Sequence, residues 1–125
     1  MDGMHKWGTL LPMSNLEAIE LNEMSSIFAA LGDVTRLRLV TRLGEGQKQS
    51  IAQLAAGLGL SHQGISKHLQ VLERSGLVIA EKVGRERHYL SQPDKIAQAN
   101  DYLQDLGSAW DDALLRLQVF VEDDQ

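Results

Sequence analysis

Apolar side chains recur every three or four residues along most of the chain, which is the spacing of one face of an α-helix. A first series runs from Asn15 to Leu31 and ends at Gly32. Asp33 can cap a second helix, whose apolar series stops at Gly44. The pattern therefore predicts two consecutive helices in the first third of the chain.

Two shorter helices separated by a glycine turn are predicted next. Ser50 and Gln53 have the spacing of a capping box at the start of the third helix, and Gly59 breaks that helix. Ser61 can cap the fourth helix, which runs to about Ser75. Two helices joined by so tight a turn form a helix-turn-helix.

Short β-type segments follow at residues 77–80 and 87–90, with a hairpin tip at residues 83–85. Pro93 and Asp94 open a last helix, which would extend about 42 Å from Asp94 to Val121 at 1.5 Å per residue. A helix-turn-helix followed by a hairpin is a winged helix-turn-helix. The predicted fold is mainly α with a small β-hairpin, in the order α-α-α-α-β-β-α.

The fourth helix has two faces of different chemistry. Ile65, Leu69 and Leu72 share the face toward the core. The opposite stripe is polar and basic and contains no acid: Gln63, Ser66, Lys67, Gln70 and Arg74. Such side chains read base edges and hold phosphates. Gly64, in the same helix, either permits close approach to a groove or lies in the first turn, where helix propensity matters little.

The distribution of charge separates this region from the rest of the chain. The whole chain carries −5, whereas residues 61–90 hold five basic and three acidic side chains, a net of +2. The remainder therefore carries −7. Arg85 and Arg87 flank the predicted hairpin tip, where they can contact phosphate or enter a minor groove. A solvated charged hairpin is the alternative, and the adjacent polar stripe favours DNA.

The sequence resembles the ArsR/SmtB family of winged-helix regulators over about residues 27–117. LGDVTRLRL at residues 31–39 is similar to the family's L-x-D-P-T-R-L-x-I segment, with Val34 in place of proline. ISKHLQVLERSGLV at residues 65–78 is similar to the recognition helix, I/V-S-x-H-L-x-x-L-x-x-x-G-L-V. VGR and HYL, within residues 83–90, match the wing.

The resemblance implies a homodimeric repressor whose first and last helices form the dimer interface. Its recognition helices would enter successive major grooves of a palindrome. By motif position, the groove readers are His62, Gln63, Ser66 and Lys67. His62 can alternatively be an exposed residue at the start of its helix.

The metal sites of the family are not matched. The thiolate pair that many members carry on the third helix falls on Ser50 and Ala52, and the chain has no cysteine. Asp101 and Asp105 stand on the last helix, but no histidine follows His88. We therefore expect no metal and no cofactor; an effector, if there is one, would be a small molecule or use a site without cysteine.

The first and last helices are amphipathic, so their apolar stripes must be buried somewhere. A seam between two copies of the chain satisfies this requirement. The residues predicted to form it are Leu16, Ile19, Leu103, Leu106, Trp110, Leu114 and Leu117. A small-molecule pocket at the same seam is the open alternative.

The chain's 125 residues suit one domain with one modest core. We expect a flexible N-terminal segment at residues 1–14, the winged domain with its dimerisation helices at residues 15–121, and an acidic tail at residues 122–125. Because Trp7 and Leu10 are apolar, docking of this first segment on the rest of the domain stays an open alternative. His68 borders the core and is predicted to be structural, whereas His88 is predicted to be at the surface or to face phosphate.

No motif for nucleotide binding or nucleophilic catalysis occurs, and neither a signal peptide nor a membrane span is predicted. We therefore expect a cytoplasmic, non-enzymatic protein that regulates transcription by binding a palindromic operator in double-stranded DNA, acting as a repressor. The alternative is a winged-helix protein–protein interaction module without DNA binding, suggested by the acidic net charge. The acid-free stripe favours DNA, because a protein-only module does not need it.

Overall fold

The computed structural model describes the backbone of residues 15–123 and the side chains of residues 18–122. The predicted N-terminal segment therefore lies outside the described residues. The helices are α1 (Asn15–Leu31), α2 (Val34–Leu43), α3 (Ile51–Leu58), α4 (His62–Arg74) and α5 (Pro93–Asp123). The strands are β1 (Gln49–Ser50), β2 (Val78–Val83) and β3 (Glu86–Ser91). This order confirms the mainly helical winged helix-turn-helix.

Side-chain caps set the helix starts that the sequence predicts. The Asp33 carboxylate accepts hydrogen bonds from the first backbone N–H groups of α2. Ser50 and Gln53 form the full capping box of α3, with bonds of 3.2 and 2.9 Å. Ser61 caps α4. Gly59 ends α3 at φ +67°, a left-handed conformation that favours glycine.

The core lies where α2, α3, α4 and the sheet meet, and the middle of α1 closes it through Ile27. Its largest fully buried side chains are all aliphatic: Ile27, Leu39, Leu43, Leu54, Ile65, Leu69, Leu72 and Leu77. Because three of them belong to α4, this helix is fixed along its whole inner face.

The sheet has three strands, one more than predicted. β1 pairs antiparallel with β3 through Gln49 opposite Tyr89 and Ser50 opposite His88. The strand order is β1-β3-β2, and the elements run α-α-β-α-α-β-β-α. A strand of two residues is too short to show an alternating pattern, so the sequence did not reveal it. The hairpin is also longer than predicted, with its turn at Gly84.

Helix α5 spans 31 residues, about 46 Å at 1.5 Å per residue. It runs to Asp123, so Glu122 and Asp123 of the predicted tail belong to the helix, whereas residues 124–125 lie outside the described residues. Only its first half packs on the body: Ala99 is buried, and the Tyr102 ring lies 6.0 Å from that of Phe28. Among residues 15–123, none of the helices combines the length and the hydrophobicity that a membrane-spanning helix needs.

The Asp33 cap makes stability depend on pH. The backbone N–H of Arg36 donates to its carboxylate and holds the pKa of Asp33 below the ordinary value. Desolvation opposes this, while the charge of His68 when its imidazole is protonated, the charge of Arg36 and the N–H of Thr35 add to it. A depressed folded-state pKa contributes stability that is present above the unfolded pKa, about 3.9, and lost as pH falls through the folded value.

We expect Asp33→Asn, which keeps the capping oxygen but removes the charge, to lower Tm by a few degrees at pH 7. The difference from the wild type should shrink below about pH 4, because the wild-type carboxyl is then protonated as well. Thermal melts at pH 7, 5 and 3 check this. A Tm difference that does not change with pH would show that the charge contributes nothing.

Candidate nucleic-acid interface

Helix α4 presents its polar stripe to solvent. His62, Gln63, Lys67 and Gln70 are exposed, and Ser66 is half-buried. The opposite face is fully buried, as predicted. The stripe is therefore carried by a helix that cannot rotate without exposing the core.

The turn before α4 fixes the start of that stripe. The N–H of Leu60 donates to the carbonyl of Ala55 (3.0 Å), and the N–H of Gly64 donates to Ser61 Oγ (3.2 Å). Gly64 thus lies in the first turn. A Cβ added there would meet, within the described chain, only Ser61 Oγ at 3.3 Å. Packing inside the chain therefore does not require glycine at this position.

The acids of residues 61–90 are engaged in ion pairs. The pairs are Glu73 with Arg87 (3.2 Å), Glu81 with Lys48 (2.9 Å) and Glu86 with His88 if the imidazole is protonated (3.2 Å). Each is solvent-screened and adds little stability. Among the lysines and arginines of residues 61–90, those with no acidic partner in the described part of the chain are Lys67, Arg74, Lys82 and Arg85. The face formed by α4 and the hairpin therefore carries uncompensated positive charge.

The two hairpin arginines have different surroundings. Arg85 is exposed in the turn. Arg87 Nη2 donates to Glu73 Oε2 on α4 (3.2 Å), and its guanidinium lies 6.0 Å from the centre of the Tyr89 ring. Arg87 therefore ties the hairpin to α4, a contact that the sequence did not reveal. Its predicted role at DNA stays a prediction.

The His88 side chain is less exposed to solvent than the sequence predicts. Its side chain is 19% exposed, and Nε2 lies 3.2 Å from Glu86 Oε1. His88 is therefore half-buried at the surface, because β3 is the central strand and β1 adds a neighbour opposite this residue. That it faces phosphate stays a prediction.

His68 has a structural role, as predicted. Arg36 Nη1 donates to its Nδ1 (3.2 Å), and Arg36 Nε donates to the carbonyl of Ala30 (2.6 Å). Asp33 Oδ2 lies 3.8 Å from the same Nδ1, but this is no ion pair while Nδ1 accepts the arginine proton. Arg36 thereby connects α4 to the end of α1. The sequence showed both residues but not that the fold joins them.

The predicted dimer residues are mostly uncovered in the single chain. Those that are exposed are Ile19, Leu103, Trp110, Leu114 and Leu117. Leu106 is half-buried, and the Leu16 side chain lies outside the described residues. Trp110 is 64% exposed. An apolar face of this extent along a helix marks a contact surface.

An open groove of about 430 Å³ lies between α1 and α5. This is the place of the small-molecule pocket that is the alternative to a dimer seam. It combines an apolar floor with carboxylates: Ile19, Met24, Tyr102, Glu20, Glu23, Asp101 and Asp105, beside Gln98. Among the described residues, no three or more His, Cys, Asp or Glu side chains are placed to hold a metal ion.

The known proteins that this chain resembles are regulators of transcription. A family model described as a helix-turn-helix domain matches residues 31–79. The HTH-type transcriptional regulator CmtR of Mycobacterium tuberculosis (strain ATCC 25618 / H37Rv) is 40% identical over 70 residues, 56% of this chain and 58% of the relative. The arsenical resistance operon repressor of Escherichia coli (strain K12) is 37% identical over 67 residues, 54% of this chain and 57% of the relative.

The chain thus spans little more than half the length of these two relatives. Among solved structures, an ArsR-like transcriptional regulator from Rhodococcus sp. RHA1 is 38% identical with a TM-score of 0.75. That match covers 82% of this chain and 93% of the other.

Proposed function

Since the chain belongs to the ArsR-like family of helix-turn-helix transcriptional regulators, we propose that it represses transcription by binding a palindromic operator as a homodimer. One observation carries the proposal: the acid-free stripe of α4 is exposed beside a hairpin whose Lys82 and Arg85 have no acidic partner among the described residues. That arrangement presents hydrogen-bonding and cationic groups together, which suits a major groove and its flanking phosphates.

In this proposal the stripe reads base edges. Gln63 suits adenine N6 and N7, Lys67 suits guanine or a phosphate, and Ser66 suits either kind of contact. His62 precedes them at the helix start, and Gln70 lies one turn further along. Five side chains on a fixed helix can therefore cover one half-site.

Contacts outside the groove come from the hairpin. Arg85, in the exposed turn, reaches phosphate or an adjacent minor groove. Arg87 can share its guanidinium between Glu73 and the DNA backbone, since Arg has five N–H donors. Its pair with Glu73 then holds the hairpin at a fixed angle to α4.

Dimerisation supplies the second half-site. A seam along the exposed face of α1 and α5 places two α4 helices in one symmetric particle, and such pairs bind half-sites about 34–36 Å apart. The protein would act in the cytoplasm by occupying DNA rather than by catalysis. An effector that tunes it would be a small molecule or a metal held without cysteine.

Selection from a pool of random duplexes tests the proposed function. We expect enrichment of an inverted repeat whose half-site centres lie about one helical turn, 10–10.5 base pairs, apart. Enrichment of no motif at all would contradict the proposal and favour the protein–protein interaction module.

We expect Arg85→Ala to weaken binding to all sequences by a similar factor and to reduce the salt slope by about 1 per site, as loss of one phosphate contact does. Titrations at several salt concentrations measure this. Arg116→Ala, which removes the same charge from α5, is the control and should leave the slope unchanged. Identical slopes for all three proteins would remove Arg85 from the interface.

We expect Gly64→Ala to leave stability within about 0.5 kcal/mol of the wild type, since Ala is the better helix former and, among the described residues, the added Cβ would meet only the Ser61 side chain closely. Operator affinity should nevertheless fall about tenfold, because the methyl group keeps α4 from the groove floor. Denaturant melts and DNA titrations separate the two effects. Unchanged affinity would show that the glycine only reflects its place in the first turn.

A further inference from the structure

Helix α5 extends well past the element that covers it. α1 packs on α5 along the row Gln98, Tyr102 and Asp105, and Ile19 of α1 lines the groove at that level. α1 begins at Asn15, only one turn before Ile19. It therefore packs against α5 only as far as about position 109. The remaining residues, 109–123, form an overhang of about 22 Å.

The row that α1 covers continues along this overhang. With helical spacing, Gln98, Tyr102 and Asp105 are followed by Ala109, Asp112, Arg116 and then Val119 and Phe120. At the far end, Leu115, Arg116, Val119 and Phe120 line an open, mainly apolar depression. Phe120 is 69% and Val119 55% exposed.

This depression is not part of the proposed dimer seam. Val119 lies five residues after Leu114, so about 140° separates the two side chains around the helix axis at 100° per residue. Trp110 and Leu117 lie on the Leu114 side. A second copy bound at the seam therefore leaves Leu115 and Val119 uncovered, whereas Phe120, three residues after Leu117, lies at the edge of the seam.

We propose that residues 1–14 of the same chain occupy this depression and continue the path of α1 along α5. The chain immediately before Asn15 starts at the edge of the overhang, so it reaches the depression without crossing another element. Fourteen residues span about 21 Å as a helix and up to about 46 Å when extended. The extended path is the one that brings Leu10, five residues and up to about 16 Å before Asn15, to the level of Val119, about 15 Å past position 109.

The side chains of residues 1–14 and those of the overhang are complementary in hydrophobicity and charge. The segment supplies large apolar side chains in Trp7, Leu10 and Leu11, which match the aliphatic and aromatic lining. It carries Lys6 and His5 against one acid, whereas residues 109–123 of α5 carry four acids and one arginine. The segment therefore acts as a strap that covers the end of the dimerisation helix. This inference does not depend on DNA binding.

Disulfide trapping tests the proposal, because the chain has no cysteine of its own. Leu10→Cys is combined with Val119→Cys in the full-length protein, and the pair is oxidised under mild conditions. A disulfide forms only when the two Cα atoms approach within about 7 Å. The matched control combines Leu10→Cys with Gln118→Cys, at the same depth on α5 but about 100° around the helix.

We expect an intrachain disulfide in the Val119 pair, seen as a protein of monomer mass that has lost two hydrogens, forming at least tenfold faster than in the Gln118 pair. Far-UV circular dichroism confirms that both variants are folded. Equal rates in the two pairs, or no disulfide in either, would overturn the proposal. A covalent dimer in the Val119 pair would also overturn it, since a second copy would then lie at the depression.

Discussion

Trp110→Asp is expected to convert the protein from a dimer to a monomer at micromolar concentration. Trp110 is the largest side chain on the proposed seam and is 64% exposed in the single chain. Aromatic residues at the centre of an interface each contribute about 2 kcal/mol or more. A carboxylate in its place would be buried without a partner, which costs several kcal/mol more.

The symmetry of the proposed dimer increases this effect, because one substitution changes both subunits. We expect the dimer dissociation constant to rise by at least about 10³-fold, which corresponds to about 4 kcal/mol. Operator affinity should fall with it, since a monomer holds only one half-site. Sedimentation velocity measures the oligomeric state, and circular dichroism verifies the helix content.

Gln104→Asp is the matched control for the dimer prediction. It also adds an acid to an exposed position of α5, but about 120° from Trp110 around the helix. This variant should remain dimeric. A Trp110→Asp protein that sediments as a dimer would place the interface on another surface.

The second large effect is expected for Gln63→Ala combined with Lys67→Ala. Both side chains are exposed, so stability should change by less than about 0.5 kcal/mol. Each lost base contact costs about 1–3 kcal/mol, and a dimer loses both copies. Operator affinity should therefore fall by about 10³-fold or more.

The single variants separate base reading from phosphate binding. Gln63→Ala should relax discrimination at one base pair of each half-site and leave the salt slope unchanged. Lys67→Ala should reduce the slope if the ammonium contacts phosphate, and relax discrimination if it contacts guanine. Titrations against the operator and against single-base variants measure both. If the double variant kept wild-type affinity, α4 would not be the reading element.

Local features of this fold were predictable from the sequence. Asp33, Ser50 and Ser61 cap their helices in the structure because capping depends on residues within one turn. The two faces of α4 were predictable for the same reason, since helical spacing alone places Ile65 and Leu69 opposite the polar stripe.

Features that depend on distant parts of the chain were not predictable. β1 exists because residues 49–50 meet β3 about 40 residues later. The contact of Arg36 with His68, and that of Arg87 with Glu73, join elements that only tertiary packing brings together. Likewise, spacing identified the apolar stripe of α5, but the structure was needed to show that Tyr102 belongs to the body and Trp110 to the exposed half.

The central claim, sequence-specific DNA binding, is tested most directly by fluorescence anisotropy. The purified protein is titrated into a labelled duplex from upstream of its own gene, at two salt concentrations and with excess unlabelled competitor DNA of shuffled sequence. We predict saturable binding that weakens with salt and persists under competition. No binding at either salt concentration, or binding that the shuffled DNA removes completely, would contradict the account.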